Sequence, residues 1–195
     1  MTILLHNHPQ NVTQEEFEKD LLLLPHWRQE KALRFRFLID RVLCTKAYLL
    51  LKQGLSSSFD ITTNPEFSYI GHEKPILKDY PNIHFNLSHC KKGVLCVIDH
   101  HDIGCDIEEI ETELDMDLCR HCFSNSEIAD ILSSSSPCVQ FTVWWTRKEA
   151  YLKLTGAGLV DDLPALFTTE VMNKIKFETS VDEKHGYIYT SCSYI

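Results

Sequence analysis

The chain has 195 residues, 44% of them hydrophobic, enough to bury a core as one domain or as two half-size units without staples. Its formal charge of -9 excludes a non-specific nucleic-acid binder, which needs a basic field to displace counterions. No run approaches the roughly 18 to 20 apolar residues that span a bilayer, and the opening residues lack a basic stretch followed by a small-residue cleavage site. The expectation is a soluble cytoplasmic protein that engages neither nucleic acid nor membrane. The eight cysteines are irregularly spaced, and Cys44, Cys96 and Cys192 sit inside apolar runs, which reads as reduced, buried thiols.

Thr13 with Glu16 forms a capping-box pattern and predicts a helix over 14–24, ended by Pro25. The apolar positions Leu33, Phe37, Val42, Leu43, Ala47 and Leu50 then predict one long amphipathic helix over 26–52, stopped near Gly54. Arg28, Lys31, Arg34, Arg36, Arg41 and Lys46 all fall in this segment, a local positive field for a modest polyanion on an otherwise acidic protein. Short strands are expected at 59–61 and 67–70, followed by a turn over 71–75. An alternating strand covers 83–88, and 94–98 is expected to pair with 103–110 as a hairpin across Asp99-His100-His101-Asp102. Asp106 and Glu108, two apart on that second strand, share a face.

Residues 118–123 read as helical, and Ser124 with Glu127 repeats the capping pattern. Ser136 with Pro137 at the first helical position starts the helix carrying Trp144 to Leu154, which Gly156-Ala157-Gly158 terminates. Alternation at 174–178 and 187–189 gives a final antiparallel pair. The order of elements recurs in the two halves, which suggests duplication about residue 100.

Asp106, Glu108 and Glu149 together offer an oxygen-rich site suited to magnesium, which takes few carboxylates, waters and substrate phosphate oxygens. Each part alone also has an ordinary reading. Carboxylates at i and i+2 occur on solvated strands, and Glu149 with Lys153 at i, i+4 makes a surface ion pair worth about 0.2 to 0.5 kcal/mol. Trp144 and Trp145 favour the site, because they bury one side of this helix and put its charges at a boundary. Ser88-His89 closes a strand where hydroxyl and imidazole can reach an anion, and Lys74 follows a glycine-containing turn. Glu127 is either catalytic or a helix-cap partner of Ser124.

Three segments occur in order: Phe85-Asn86-Leu87-Ser88-His89, then Gly104-Cys105-Asp106-Ile107-Glu108, then Trp145-Thr146-Arg147-Lys148-Glu149-Ala150-Tyr151-Leu152-Lys153. With the 71–75 segment before them and Phe123-Ser124 with Glu127 between them, the chain resembles the 4'-phosphopantetheinyl transferase superfamily, in its monomeric, two-lobed, surfactin-synthetase-activating branch. The resemblance implies an α+β fold of two similar lobes, each a long helix on a small antiparallel sheet. Residues 1–100 would hold the adenosine end of coenzyme A, and 101–195 the magnesium site and catalytic helix.

It further implies that Asp106, Glu108 and Glu149 hold magnesium and that Glu149 accepts the proton of a carrier-protein serine. Lys153 would steady the phosphate under attack. Lys74, Ser88, His89 and Arg41 would grip the 3'-phosphorylated adenosine, with Arg28 and Lys31 beside them. The acceptor would be an apo acyl or peptidyl carrier protein, and the products holo carrier protein and adenosine 3',5'-bisphosphate.

The chain departs from the family pattern at His72-Glu73, which enlarges the turn before Lys74, and it is short beyond Gly158. An alternative enzyme is another magnesium-dependent transferase or hydrolase of a nucleotide diphosphate. A zinc module on Cys119 and Cys122, with His121, lacks the second ligand pair that a closed site needs.

Overall fold

In the computed structural model, which describes residues 1–70, 74–158 and 160–195, two three-stranded antiparallel sheets each carry a long helix. The first sheet places β5 (Gly93–Asp99) between β1 (Thr2–Asn7) and β4 (His84–Cys90). The second places β8 (Tyr187–Tyr194) between β6 (Ile103–Glu109) and β7 (Ile175–Asp182). In both, the chain lays down an edge strand, crosses through helix, and returns as a hairpin whose second strand takes the middle. The architecture is α+β, as the family resemblance implies. A two-stranded ribbon of β2 (Phe67–Ile70) and β3 (Lys74–Leu77) borders the first sheet.

Strand alternation explains the layering. On β5, Val94, Cys96 and Ile98 meet Leu43, Ala47, Leu50, Leu51 and Leu55 of α3 (Leu38–Phe59). The intervening Leu95 and Val97 point the other way, onto Ile103, Cys105 and Ile107 of β6 and Tyr187 of β8. The sheets therefore share a buried layer, and each turns its outer face to its own helix. On the second sheet that helix is α6 (Pro137–Thr155), whose Ala150 and Leu154 pack with Ile175 and Cys192.

This arrangement corrects the expected hairpin between 94–98 and 103–110. β5 pairs with β1 and β4, β6 pairs with β8, and the Asp99 to Asp102 connection carries the chain from one sheet to the other. Both strands are apolar enough to be worth more stacked across a dry layer than paired side by side with a face in water. The true hairpin is β4 with β5.

The long helix expected over 26–52 is two helices, α2 (His26–Leu33) and α3. Leu33, Phe35 and Phe37 are exposed, so the break removes two of the positions that had extended the apolar stripe. Phe37 is extended (φ -94°, ψ 146°) and starts a new helix that runs past Gly54 to Phe59, and the strand expected at 59–61 is instead the helix end, with Asp60 as its left-handed cap. Gly54 is interior because a Cβ there would stand 2.5 Å from Ile98 Cδ1 and 2.7 Å from Leu4 Cδ1. Strand β1 has no counterpart in the sequence reading. Residues 71–73 of the expected 71–75 turn lie outside the described residues, and Lys74 and Pro75 open β3.

Two predicted caps form, Thr13 with Glu16 opening α1 (Gln14–Leu21) and Ser124 with Glu127 opening α5 (Asn125–Ser133), while Ser136 stands at the N-cap of α6 without a side-chain bond. Before α5, α4 (Met116–Cys122) buries Cys119 and Cys122 against Phe123, Ile131 and Phe141, an apolar setting for those thiols. Among the described residues no helix is long and apolar enough to cross a membrane.

Candidate active site

The site begins with a glycine. Gly104 lies under α6, where a Cβ would collide with the Ala150 carbonyl and stand 2.5 Å from the Leu154 nitrogen. Its missing side chain lets the helix backbone settle onto β6, so that the next residues on the same face, Asp106 and Glu108, come up beside Glu149 and Lys153.

Asp106 is 1% exposed. Its Oδ1 accepts from Lys153 Nζ at 2.6 Å and from Ser88 Oγ at 2.7 Å, and Lys153 Nζ also lies 2.9 Å from Ser88 Oγ. Its Oδ2 is sealed from solvent with no partner among the described residues. An unmet carboxylate oxygen in such a place is costly and leaves an acceptor for a further ligand; Glu127 Oε1 is sealed without a partner in the same way, so what sets Asp106 apart is the company of Glu108 and Glu149.

Burial, reinforced by Asp106, pushes the Glu108 carboxyl up to about 7 against the opposing pull of Lys153 and a Trp145 hydrogen bond. Glu149 is raised in the same way, by burial and then Asp106. For Lys153, burial disfavours the charge, but Asp106 outweighs it and its pKa is raised. Three acids thus crowd a single ammonium.

That surplus negative charge, with the unmet Oδ2, fits a hard divalent cation. Among the described residues no three His, Cys, Asp or Glu side chains are grouped closely enough to hold a metal by themselves. Magnesium does not require such a cage, because it keeps waters and takes up substrate phosphate oxygens.

One cavity of about 390 Å³ gathers most of the predicted residues: Arg28 and Lys31 from α2, Ser88 and His89 from β4, Asp106 and Glu108 from β6, and Glu149 and Lys153 from α6. A second, of about 380 Å³, shares Glu149 and Lys153 and adds Lys74, Phe85, Asn86 and Gly156. Arg28 is buried over the Tyr48 ring at 5.4 Å, donates to the Cys44 carbonyl at 3.2 Å, and keeps its Nε sealed without a partner. The His89 ring keeps solvent access, yet the surrounding protein and then Lys153 press its pKa down.

Two predicted residues are placed differently. Lys74 Nζ donates to the Leu154 carbonyl at 3.0 Å, holding the end of α6, and burial lowers its pKa. Arg41 donates from Nε to the Phe35 carbonyl at 2.8 Å and lines neither cavity.

Glu127 stands apart from the cleft. Its Oε2 accepts from the Ser124 amide at 2.7 Å and from Lys148 Nζ at 3.0 Å. Lys148 also donates to the Leu163 carbonyl at 2.7 Å and lies between the Phe123 and Phe167 rings, at 5.5 and 5.1 Å. Glu127 therefore caps α5 and holds a buried pair. The sequence reading missed Lys148 as its partner, and it missed Asn86, whose Oδ1 accepts the Cys105 amide at 3.1 Å. Both residues sit inside the quoted motifs, where position alone gives no sign of these contacts.

Residues 102–190 match the 4'-phosphopantetheinyl transferase superfamily. The 4'-phosphopantetheinyl transferase psf-1 of Bacillus pumilus is 33% identical over 135 residues, 68% of this chain and 58% of that protein. The 4'-phosphopantetheinyl transferase Sfp of Bacillus subtilis strain 168 is 28% identical over 151 residues, 76% of this chain and 67% of that protein. The 4'-phosphopantetheinyl transferase HetI of a Nostoc species is 36% identical over 101 residues, 48% of this chain and 43% of that protein. The chain thus spans about three-fifths of the first of these relatives and about two-thirds of the second. Over residues 102–190 the chain matches the family model, and over 68% to 76% of its length it is similar to these 4'-phosphopantetheinyl transferases.

Proposed function

We propose that the protein transfers 4'-phosphopantetheine from coenzyme A to a serine of an apo acyl or peptidyl carrier protein, leaving adenosine 3',5'-bisphosphate. The observation that carries this reading is the cleft in which Asp106, Glu108 and Glu149 face one lysine and the Asp106 Oδ2 is unmet. Asp106, Glu108 and Glu149 would hold magnesium, which when bound supplies positive charge to the phosphate oxygens of coenzyme A.

The side chains do the rest. Glu149, its pKa raised, would take the proton of the serine hydroxyl as oxygen attacks phosphorus. Lys153 directs two N–H donors to Asp106 and Ser88, and its third is left for an oxygen of the phosphate under attack. Arg28, Lys31, Ser88, His89 and Lys74 line the cavities where the phosphorylated adenosine would lie, and Arg41 would join them only by leaving its bond to the Phe35 carbonyl. Residues 1–100 would then hold the adenosine end and 101–195 the metal and catalytic helix, in a monomeric cytoplasmic enzyme.

The test is incubation of the purified chain with coenzyme A, magnesium and a panel of apo carrier proteins. The expected result is one phosphopantetheine added to one serine, with an equal amount of adenosine 3',5'-bisphosphate released. Cleavage of coenzyme A or of a nucleotide diphosphate with no carrier modified would overturn the reading.

A further inference from the structure

Asn86 lies on β4 two residues before Ser88, so both side chains leave the strand on one side. Each takes hold of β6 from across the seam between the sheets. Asn86 Oδ1 accepts the backbone N–H of Cys105 at 3.1 Å, with Cys105 Sγ at 3.5 Å, and Ser88 Oγ donates to the carboxylate of the next residue, Asp106. Cys105 is fully buried, and on the edge strand β6 its N–H is taken by the Asn86 side chain. The same N–H fixes which end of the Asn86 amide faces β6, because only the oxygen can accept it.

We infer that Asn86 is a positioning residue, a latch that fixes the β6 backbone at Cys105 and so sets the Asp106 carboxylate for its divalent cation. This rests on the proposed function, which gives Asp106 that role. Hydrogen-bond partners behind a metal ligand commonly change metal affinity by about 10- to 100-fold when removed. By linkage the effect is reciprocal: if the latch tightens metal binding, bound metal must tighten the latch by the same factor.

Mn²⁺ binding to the full, metal-free chain with coenzyme A present throughout, followed by electron paramagnetic resonance, tests the inference together with hydrogen exchange at the Cys105 amide. Asn86→Leu, similar in size but without an acceptor, should weaken Mn²⁺ binding about tenfold or more and expose the Cys105 amide to exchange. Asn86→Asp, which keeps an acceptor at the same reach, should restore protection of that amide. A folded Asn86→Leu chain with wild-type Mn²⁺ affinity would overturn the latch alone. Should that variant not fold, the wild type decides: saturating Mg²⁺ should slow Cys105 exchange about tenfold, and unchanged exchange would overturn it. A wild type that takes up no Mn²⁺ overturns the metal role of Asp106 and the latch with it.

Discussion

Two lysines five positions apart on α6 each grip a buried carboxylate, and their surroundings differ in charge balance. In the wall, Lys148 meets one buried acid, Glu127, between two phenyl rings and a carbonyl, and its side chain is 0% exposed. In the cleft, Lys153 meets Asp106 while Glu108 and Glu149 press on the same space. One acid to one lysine holds structure together, even with Glu127 Oε1 left unmet. An unbalanced set leaves the folded chain carrying negative charge that a cation would relieve.

The sharpest way to break this contrast is to remove cleft acids. Glu149→Gln and Asp106→Ala should keep the fold, seen by circular dichroism, yet lower phosphopantetheine transfer by at least about 10²- to 10⁴-fold in a coupled carrier-protein assay. Near-normal turnover in either variant would contradict the base role of Glu149 or the metal role of Asp106.

The wall should answer in stability. Lys148→Met leaves Glu127 buried and unpaired, and chemical denaturation should show a loss of about 3 to 5 kcal/mol. A loss below about 1 kcal/mol would mean that the pair is dispensable. Gly104→Ala sharpens the link between β6 and α6, since the added methyl must push the helix backbone away. A loss of about 1 to 3 kcal/mol is expected, with reduced transfer.

The smallest effect is pH-dependent. The Glu108 pKa stands above its ordinary value of 4.5, at about 7, so the folded state favours the protonated form. The contribution of Glu108 to the stability of the metal-free chain is therefore fully present below about pH 4.5 and is lost as pH rises through about 7. Thermal unfolding across that window should show the decline, Glu108→Gln should flatten it, and Mg²⁺ should restore stability at the alkaline end. Parallel profiles for wild type and Glu108→Gln would remove Glu108 from the account.

The two capping boxes and the face shared by Asp106 and Glu108 were legible because each depends on residues within four positions along the chain. The break at 34–37 was not, since Leu33 and Phe37 keep helical spacing and only the absence of a core beneath them shows that they lie outside the stripe. Strand β1 was hidden for a related reason: its pairing with β5 spans some ninety residues. At the site, motif spacing named Asp106, Glu108, Glu149 and Lys153, but the pairing of Glu127 with Lys148 was not legible.

Residue order alone thus determined which side chains share a strand face or a helix turn, and through the motifs it named the acids and the lysine. Tertiary structure decided which strands pair, that two sheets stack where a hairpin was expected, and which lysine joins which carboxylate. The physical reason is range. Backbone periodicity and capping are set by neighbours along the chain, whereas strand pairing and buried charge balance depend on which distant surfaces exclude water together.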